Sequence, residues 1–329
     1  MNILVIGGAG YIGSHMCKCL AQSGYTPIVL DNLVYGHRKA VQWGPFIEGS
    51  LDDTELLKHT FKTYDISAVM HFAAFTYVGE SVQNPAIYYQ NNVAATLSLL
   101  ASMIDAKVNN FIFSSSCAVY GEPVEIPISE AHPQAPISPY GRTKRMVEEI
   151  LGDFGNAYGL SSIALRYFNA AGADPDGQIG EVHDPETHLI PLVLQAALGQ
   201  RDSIQVFGND YATGDGTCVR DYIHINDLAS AHLLALERLL NGHTGGAFNL
   251  GNGEGYSVMD VIETARNVTG KPISHQVTDR RKGDPAVLIG SSQKAKDELG
   301  WQPQYAELDV IIEHAWNWHK AHPKTQRTQ

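Results

Sequence analysis

The chain has 329 residues, of which 44% are hydrophobic and 18% charged, with a formal net charge of −12 at pH 7. This length exceeds one average domain, so we expect a large domain accompanied by a smaller one. The negative charge argues against binding to nucleic acid or to an anionic membrane, because both need clustered lysines and arginines.

The first apolar run predicts a β-strand and not a signal peptide. It covers only residues 3–6 and has no basic leader and no small-residue cleavage site. No stretch approaches the ~20 apolar residues of a membrane helix, and the four cysteines form no Cys-x-x-Cys pair. We therefore expect a cytoplasmic protein with reduced thiols and no membrane partner.

A glycine-rich turn follows this strand. Gly7, Gly10 and Gly13 let the backbone approach a pyrophosphate at the N-terminus of a helix, here predicted for residues 14–23. Asp31 ends the next strand, at 26–30, and its carboxylate would bind an adenine ribose and repel a 2′-phosphate. This favours NAD over NADP, although Asp31 could instead cap a turn.

Strands predicted at 67–71 and 110–114 continue the alternation of strands and helices, which is typical of a doubly wound parallel sheet. The last of them leads into Ser114-Ser-Ser116, about two dozen residues before Tyr140-Gly-Arg-Thr-Lys144. Residues four apart on a helix share a face, so the Lys144 ammonium would lower the pKa of the Tyr140 phenol and bind a cofactor hydroxyl. With Ser116 as a third hydrogen-bonding group, the set predicts hydride chemistry on an alcohol.

The helix that carries this pair is predicted for residues 140–158, with Ser138 as its cap and Pro139 in its first position. A second Tyr-x-x-x-Lys sequence, from Tyr35 to Lys39, lies in a predicted loop on the adenosine side, so we do not expect it to be catalytic. A strand at 162–167 follows the helix and closes the nucleotide-binding section.

Longer loops begin after Gly172, which we take as the boundary between a nucleotide-binding domain, 1–172, and a smaller domain, 173–329. Helices are predicted at 189–199, 227–240 and 257–269, and a strand at 247–250. Residues 227–250 could return to the main sheet. The helices at 91–105 and 140–158 carry apolar residues at three-and-four spacing that could meet a second copy, so we expect a homodimer. These residues are Leu97, Leu100, Ile104, Met146, Val147 and Ile150.

Together these segments resemble the extended short-chain dehydrogenase/reductase family, and its nucleotide-sugar 4-epimerase branch, over nearly the whole chain. The segments that carry the resemblance are Gly7-Gly-Ala-Gly-Tyr-Ile-Gly-Ser-His15, Asp31-Asn-Leu33, His71-Phe-Ala-Ala74, Val78-Gly-Glu-Ser81, Tyr88-Tyr-Gln-Asn-Asn-Val93, Ser114-Ser-Ser116, Tyr140 with Lys144, Leu165-Arg-Tyr-Phe-Asn169, Phe207-Gly-Asn-Asp-Tyr211, Val219-Arg-Asp-Tyr-Ile-His224 and Arg280-Arg-Lys-Gly-Asp284. The resemblance implies an α/β fold, a Rossmann-type doubly wound parallel sheet with a second, smaller α/β substrate domain. It also implies tightly held NAD and 4-epimerisation of a UDP-sugar, here UDP-galactose and UDP-glucose.

The resemblance also implies roles for particular residues, with catalysis assigned to Tyr140, Lys144 and Ser116. The residues implied to contact NAD are Gly7, Gly10, Tyr11, Ile12, Gly13, Asp31, Asn32, Ser50, Leu51, Phe72, Ala73, Ala74, Asn91, Ser114, Tyr140, Lys144 and Phe168. The residues implied to contact the UDP-sugar are Ser116, Tyr140, Asn169, His188, Leu189, Val206, Phe207, Arg220, Arg281, Asp284 and Leu288. No metal is expected; His183 and His188 form a possible metal pair, but the proposed chemistry needs none.

Some positions depart from the family pattern. Thr76 stands where relatives commonly have a lysine near the pyrophosphate, and Ser50 where they have an aspartate near the adenine. Leu288 is intermediate between the tyrosine of relatives restricted to unsubstituted hexoses and the small residues that admit N-acetyl sugars. We therefore expect a preference for unsubstituted hexoses.

Other functions remain open. A 4-epimerase of UDP-N-acetylhexosamines or of UDP-xylose and UDP-arabinose would use the same residues. An NAD-binding regulator is a different class, but such proteins have usually lost the tyrosine or the lysine, and Tyr140 and Lys144 are both present. A 4,6-dehydratase would need an acid and a base where this chain has Cys117-Ala-Val.

Overall fold

The computed structural model describes residues 1–281 and 283–322. At its centre is a parallel sheet of seven strands in the order β11-β6-β5-β4-β1-β2-β3. The strands of this sheet are β1 (Asn2–Ile6), β2 (Thr26–Asp31), β3 (Phe46–Glu48), β4 (Ile66–His71), β5 (Asn110–Ser114), β6 (Ser161–Tyr167) and β11 (Gly246–Leu250). The strand order reverses between β1 and β4, which is where open sheets of this type form a ligand crevice.

Helices cover both faces of the sheet. In the first part of the chain these are α1 (Tyr11–Gln22), α2 (Thr54–Thr63), α3 (Val78–Gln83), α4 (Pro85–Tyr89), α5 (Ala95–Asp105) and α6 (Pro139–Tyr158). Because side chains alternate along a strand, Ile3 and Val5 pack into a core with Leu20 of α1, whereas Leu4 and Ile6 pack into another that α2, α5 and α6 help to form. Apolar runs such as β1 are thus buried on both faces.

The predicted strands and helices of this part are present, with differences at their ends. The helix after the glycine turn begins at Tyr11, three residues earlier than predicted. The helix predicted for 91–105 is α-helical only from Ala95, because a π-helical turn precedes it. Leu100 and Val147 are fully buried, so the prediction that they face outward was wrong; Leu97 and Met146 are exposed.

The rest of the chain builds a smaller layer beside the sheet. It contains β7 (Asn169–Ala171), α7 (Leu189–Ala197), β8 (Ile204–Phe207), β9 (Val219–Arg220), β10 (Tyr222–His224), β12 (Tyr256–Ser257), α9 (Val258–Thr269), β13 (His275–Thr278), β14 (Val287–Leu288) and α11 (Leu308–Ala321). The hydrophobic core of this layer lies between α7, α9 and α11. Two further helices, α8 (Ile225–Leu240) and α10 (Gln293–Leu299), belong to the core of the main sheet. The segment from α8 to β11 lies against the main sheet, where β11 pairs with β6. No helix of the described residues is long and apolar enough to cross a membrane.

Candidate active site

A cleft of about 1490 Å³ lies between the sheet and the smaller layer. Asp31 of the sheet and Arg281 of the smaller layer both line it, so residues of the two layers share one cavity. All the residues implied to contact NAD or the UDP-sugar line it, except Ser114, Lys144 and Val206. The sequence reasoning therefore placed its candidate residues around one cavity.

The glycine turn forms one wall of this cleft. Gly7 has φ +79°, and a Cβ there would lie 2.6 Å from the amide nitrogen of Ala73. A Cβ at Gly13 would lie 2.1 Å from the carbonyl oxygen of Gly7, so glycine is required at both positions. Helix α1 begins directly after Gly10, and the unpaired N–H groups of its first turn form a site for a phosphate.

Asp31 lies at the end of β2, beside this turn. Its carboxylate accepts hydrogen bonds from the backbone N–H groups of Ala9 (3.0 Å) and Leu33 (2.8 Å), and burial raises its pKa. Asp31 thus stabilises a turn, which was the alternative interpretation, but each carboxylate oxygen has a further lone pair for a ribose hydroxyl. The phosphate site and the buried carboxylate together fit NAD.

The predicted catalytic pair lies on α6, which begins as predicted. The Ser138 hydroxyl accepts a hydrogen bond from the N–H of Gly141 (3.1 Å), and Pro139 occupies the first turn. This cap fixes the rotation of the helix, so that Tyr140 lines the cleft while Lys144 lies behind it. Both side chains are buried.

Lys144 is held by the strand before the serine cluster. Its Nζ donates to the carbonyl oxygen of Ser114 (2.8 Å) and lies 5.9 Å from the centre of the Tyr140 ring. The Ser114 hydroxyl is bonded to the Tyr167 hydroxyl (2.6 Å), so Ser114 positions Lys144 and does not line the cleft. Ser116 does line it, and its Oγ accepts from the N–H of Ala118 (3.2 Å).

Burial dominates the acidity of this pair. It lowers the pKa of Lys144 to about 7, although the charge of Glu148 opposes the shift. It also raises the pKa of Tyr140 well above 10, which the hydrogen bond from Ser116 reduces only in part. The sequence argument, which expected Lys144 to lower the pKa of the phenol, was therefore incomplete, because it omitted desolvation.

A buried polar network, which the sequence did not reveal, supports the serine cluster. The Ser115 hydroxyl donates to the Glu148 carboxylate (2.6 Å), which is also paired with the Arg166 guanidinium. Arg166 donates in turn to the Tyr120 hydroxyl (2.8 Å). An arginine inside the apolar strand β6 was the one local signal, since a buried guanidinium needs a partner. The network ties the loop after β5 to α6, and so holds Ser116 beside Tyr140.

Most residues predicted for the UDP-sugar come from the smaller layer and line the same cleft. Arg220 forms an ion pair with Asp284, and the Arg281 guanidinium lies 3.8 Å from the centre of the Phe207 ring. An ion pair of this kind is an ordinary structural role for an arginine and is the alternative to anion binding by Arg220. Arg281 stacked on an aromatic ring offers donors for a phosphate, because a guanidinium binds phosphate oxygens in its own plane.

Three other predicted residues have distinct surroundings. Asn169 donates from its side chain to the carbonyl oxygen of Asp221 (3.0 Å). Leu288 packs against Phe168 on the cleft wall. Val206 is buried in the core of the smaller layer, so its side chain is not on the wall, whereas its neighbour Phe207 is.

His188 and Leu189 lie where the cleft meets the start of α7. Burial would lower the pKa of His188, but Glu181 and Glu186 beside it raise that pKa to about 10. The Nδ1 atom of His188 lies 2.6 Å from a Glu181 carboxylate oxygen. The two glutamates were not singled out from the sequence.

The sheet order, the glycine turn and the buried Tyr140–Lys144 pair define a dinucleotide-binding protein of the short-chain dehydrogenase/reductase type. The family model described as "NAD dependent epimerase/dehydratase family" matches residues 3–251, and the chain belongs to this family. A UDP-glucose 4-epimerase of Halalkalibacterium halodurans is 54% identical over 329 residues, which is 100% of this chain and 98% of that protein.

Solved structures of UDP-glucose 4-epimerases are also similar to this chain. A UDP-glucose 4-epimerase of Brucella ovis, in complex with NAD, has a TM-score of 0.94 and 51% identity over 96% of this chain and 97% of that one. A UDP-glucose 4-epimerase of Bifidobacterium longum, in complex with NAD+ and UDP, has a TM-score of 0.94 and 37% identity over 98% and 99%. These likenesses cover both the sheet and the smaller layer.

Proposed function

We propose that this chain interconverts UDP-galactose and UDP-glucose by epimerisation at C4, with NAD as a bound cofactor. The observation that carries the proposal is the buried Tyr140 on the wall of one cleft that Asp31 and Arg281 also line. Such a cleft accommodates a dinucleotide and a nucleotide sugar. The similar proteins of H. halodurans, B. ovis and B. longum, each a UDP-glucose 4-epimerase, support this substrate.

The proton transfer in this reaction belongs to Tyr140. When bound, NAD supplies a reversible hydride acceptor, and its positive charge favours the phenolate over the phenol. Tyr140 accepts the proton of the 4-hydroxyl as the hydride leaves C4, which gives a 4-ketose and a neutral phenol. Tyr140 returns the proton when the hydride is delivered to the opposite face of C4. The Ser116 hydroxyl orients the reacting oxygen.

The sugar ring must rotate between the two hydride steps so that it presents its opposite face, and the protein therefore cannot bind the hexose tightly. Binding free energy then has to come from the UDP group. Arg281 on the Phe207 ring and the Arg220–Asp284 pair line the cleft from the smaller layer, where they would hold the diphosphate and ribose. Leu189 and His188 lie at the start of α7 on the same cleft and would complete this contact.

Proton NMR of the purified protein with UDP-galactose and no added NAD tests this function directly. We expect the anomeric signals of UDP-glucose to appear, and Tyr140→Phe to abolish them while NAD stays bound. If the wild-type protein carries NAD and leaves UDP-galactose unchanged, the proposal fails. Conversion of UDP-xylose alone would assign the site to pentoses instead.

We also propose that the protein is a cytoplasmic homodimer. Exposed Leu97 on α5 and Met146 on α6 leave apolar surface on both long helices, which supports an interface there. The four cysteines are free, which supports a reducing compartment. Light scattering should give twice the chain mass of 35.9 kDa, and a monomer mass would refute the interface.

A further inference from the structure

Four side chains outside the catalytic pair converge just before α7: Glu181, His183, Glu186 and His188. Each offers one ligand atom, and these four atoms all lie within 4.8 Å of one another. The spacing of the two histidines alone was weak evidence for a metal. The structure adds two carboxylates from the same short segment, which makes the set two imidazole nitrogens and two carboxylate oxygens.

The distances between these atoms match those around one tetrahedral ion. From Nδ1 of His183 the nearest carboxylate oxygens lie at 3.1 Å (Glu181) and 3.8 Å (Glu186), and from Nδ1 of His188 at 2.6 Å and 3.2 Å. A Zn²⁺ ion with ligands at about 2.1 Å has neighbouring ligand atoms about 3.4 Å apart. The four distances bracket this value, although those to Glu186 end on its two different oxygens (Oε2 for His183 and Oε1 for His188). Because one ligand atom of each residue lies within 4.8 Å of the others, small side-chain movements would bring all four to a single ion.

Charge also favours a cation here. The side chains of Glu181 and Glu186 are only 4% and 5% exposed, and buried carboxylates need a compensating charge. The His188 imidazole lies 2.6 Å from Glu181 and can compensate one carboxylate as a cation, but metal binding requires both imidazoles to be neutral, and the cluster then carries two negative charges. A divalent cation neutralises them, and the donor set of imidazole and carboxylate suits Zn²⁺ better than Mg²⁺, which prefers oxygen alone.

Further contacts hold the ligands in place. One oxygen of Glu186 accepts hydrogen bonds from the backbone N–H groups of Thr187 and His188, both at 2.8 Å. The backbone oxygen of Glu181 accepts from the indole N–H of Trp318 (3.2 Å), which attaches the segment to α11. Groups that orient the ligands in this way are typical of metal sites.

We propose that Glu181, His183, Glu186 and His188 bind one divalent transition-metal ion, with Zn²⁺ as the preferred ion, in a structural site beside the cleft. The ion uses all four protein ligands and so leaves no position for a substrate atom. It fixes residues 181–188, the segment that leads into α7, and makes Nε2 the protonated nitrogen of His188. The ion therefore orders one wall of the cleft without taking part in hydride or proton transfer.

Metal content of the full chain, purified without a histidine tag and stripped with a chelator, tests the site. After addition of Zn²⁺ and gel filtration, mass spectrometry should find one zinc per chain, and the melting temperature should rise. Co²⁺ added instead should give the intense visible absorption of a four-coordinate ion. Wild-type protein that binds no stoichiometric Zn²⁺, or binds Co²⁺ with only the weak absorption of a six-coordinate ion, overturns the proposal.

Substitutions of the proposed ligands test where the ion binds. Loss of a group that merely orients a ligand weakens metal binding by about 10- to 100-fold, so Glu181→Gln and His183→Gln should weaken Zn²⁺ binding at least that much. His59→Gln, which changes an exposed histidine on α2, is the matched control and should bind Zn²⁺ as the wild type does. Zinc binding by folded Glu181→Gln and His183→Gln with wild-type affinity would refute the assignment. Bound NAD and circular dichroism report whether each variant is folded.

Discussion

Replacement of Lys144 by methionine removes the ammonium behind Tyr140, the proposed catalytic base, and keeps a side chain of similar length. The Nζ atom lies 5.9 Å from the centre of the Tyr140 ring. At an effective dielectric constant of 20, a unit charge at this distance stabilises the phenolate by about 3 kcal/mol, which corresponds to about two pKa units. This is less than the roughly three units that a separation of about 4 Å would give.

The sign of the effect follows from the role of Tyr140 as a base. Loss of the nearby cation raises the pKa of the phenol, so a smaller fraction is phenolate at every pH below that pKa. Each unit reduces this fraction tenfold. Because burial lowers the pKa of Lys144 to about 7, its ammonium is only partly populated at neutral pH, and we expect kcat of Lys144→Met to fall about 10- to 100-fold there. In the pH profile, the rise in activity with pH should occur about two pH units higher than in the wild type. The ratio of wild-type to variant activity should therefore decrease as the pH increases.

The assay is epimerisation of UDP-galactose as a function of pH with NAD at saturation, because Lys144 is also implied to bind the cofactor. Lys39→Met is a matched control, since Lys39 belongs to the other Tyr-x-x-x-Lys sequence and is exposed. It should keep the wild-type profile. A Lys144→Met enzyme with an unshifted profile, or with kcat close to the wild type, would refute the electrostatic argument.

Three further substitutions give separate results. Leu288→Gly opens the cleft wall beside Phe168 and should raise kcat/KM for UDP-N-acetylglucosamine in an NMR assay; no change would exclude Leu288 as a determinant of sugar size. Arg281→Ala should raise KM for UDP-galactose with little change in kcat, because a diphosphate contact is equal in ground and transition states; a loss confined to kcat would contradict this. Trp301→Ala empties a fully buried site whose indole N–H donates to the carbonyl oxygen of Asp227 (3.0 Å), and should lower the free energy of unfolding by about 3–5 kcal/mol in urea titrations; a loss below about 1 kcal/mol would show that the site collapses around the change.

The parts of the molecule that the sequence predicted are those set by local spacing. The glycine turn is predictable because Gly13 is required by a contact within one strand–turn–helix unit and Gly7 by its positive φ of +79°. Helix α6 is predictable because Ser138 and Pro139 determine where it begins. These two units, together with the end of β2, place the glycine turn, Asp31 and Tyr140 on the same cleft, which is why the sequence could indicate the kind of site.

The parts that the sequence missed depend on residues that meet only in the folded chain. Glu148 and Arg166 are 18 residues apart and pair through the packing of α6 on β6. The buried faces of α5 and α6 likewise depend on the layer beneath them, so Leu100 and Val147 could not be assigned to a side from spacing alone. The same applies to the pKa of Tyr140, because desolvation depends on its surroundings in the fold.

The central claim is that one cleft removes the C4 hydride and returns it to the same sugar. UDP-galactose that carries deuterium at C4 tests it most directly, with mass spectrometry of the UDP-glucose formed in ordinary water. We predict that the product retains the deuterium, since Tyr140 exchanges only the hydroxyl proton and the hydride never enters the solvent. Replacement of the C4 deuterium by solvent hydrogen would contradict this mechanism.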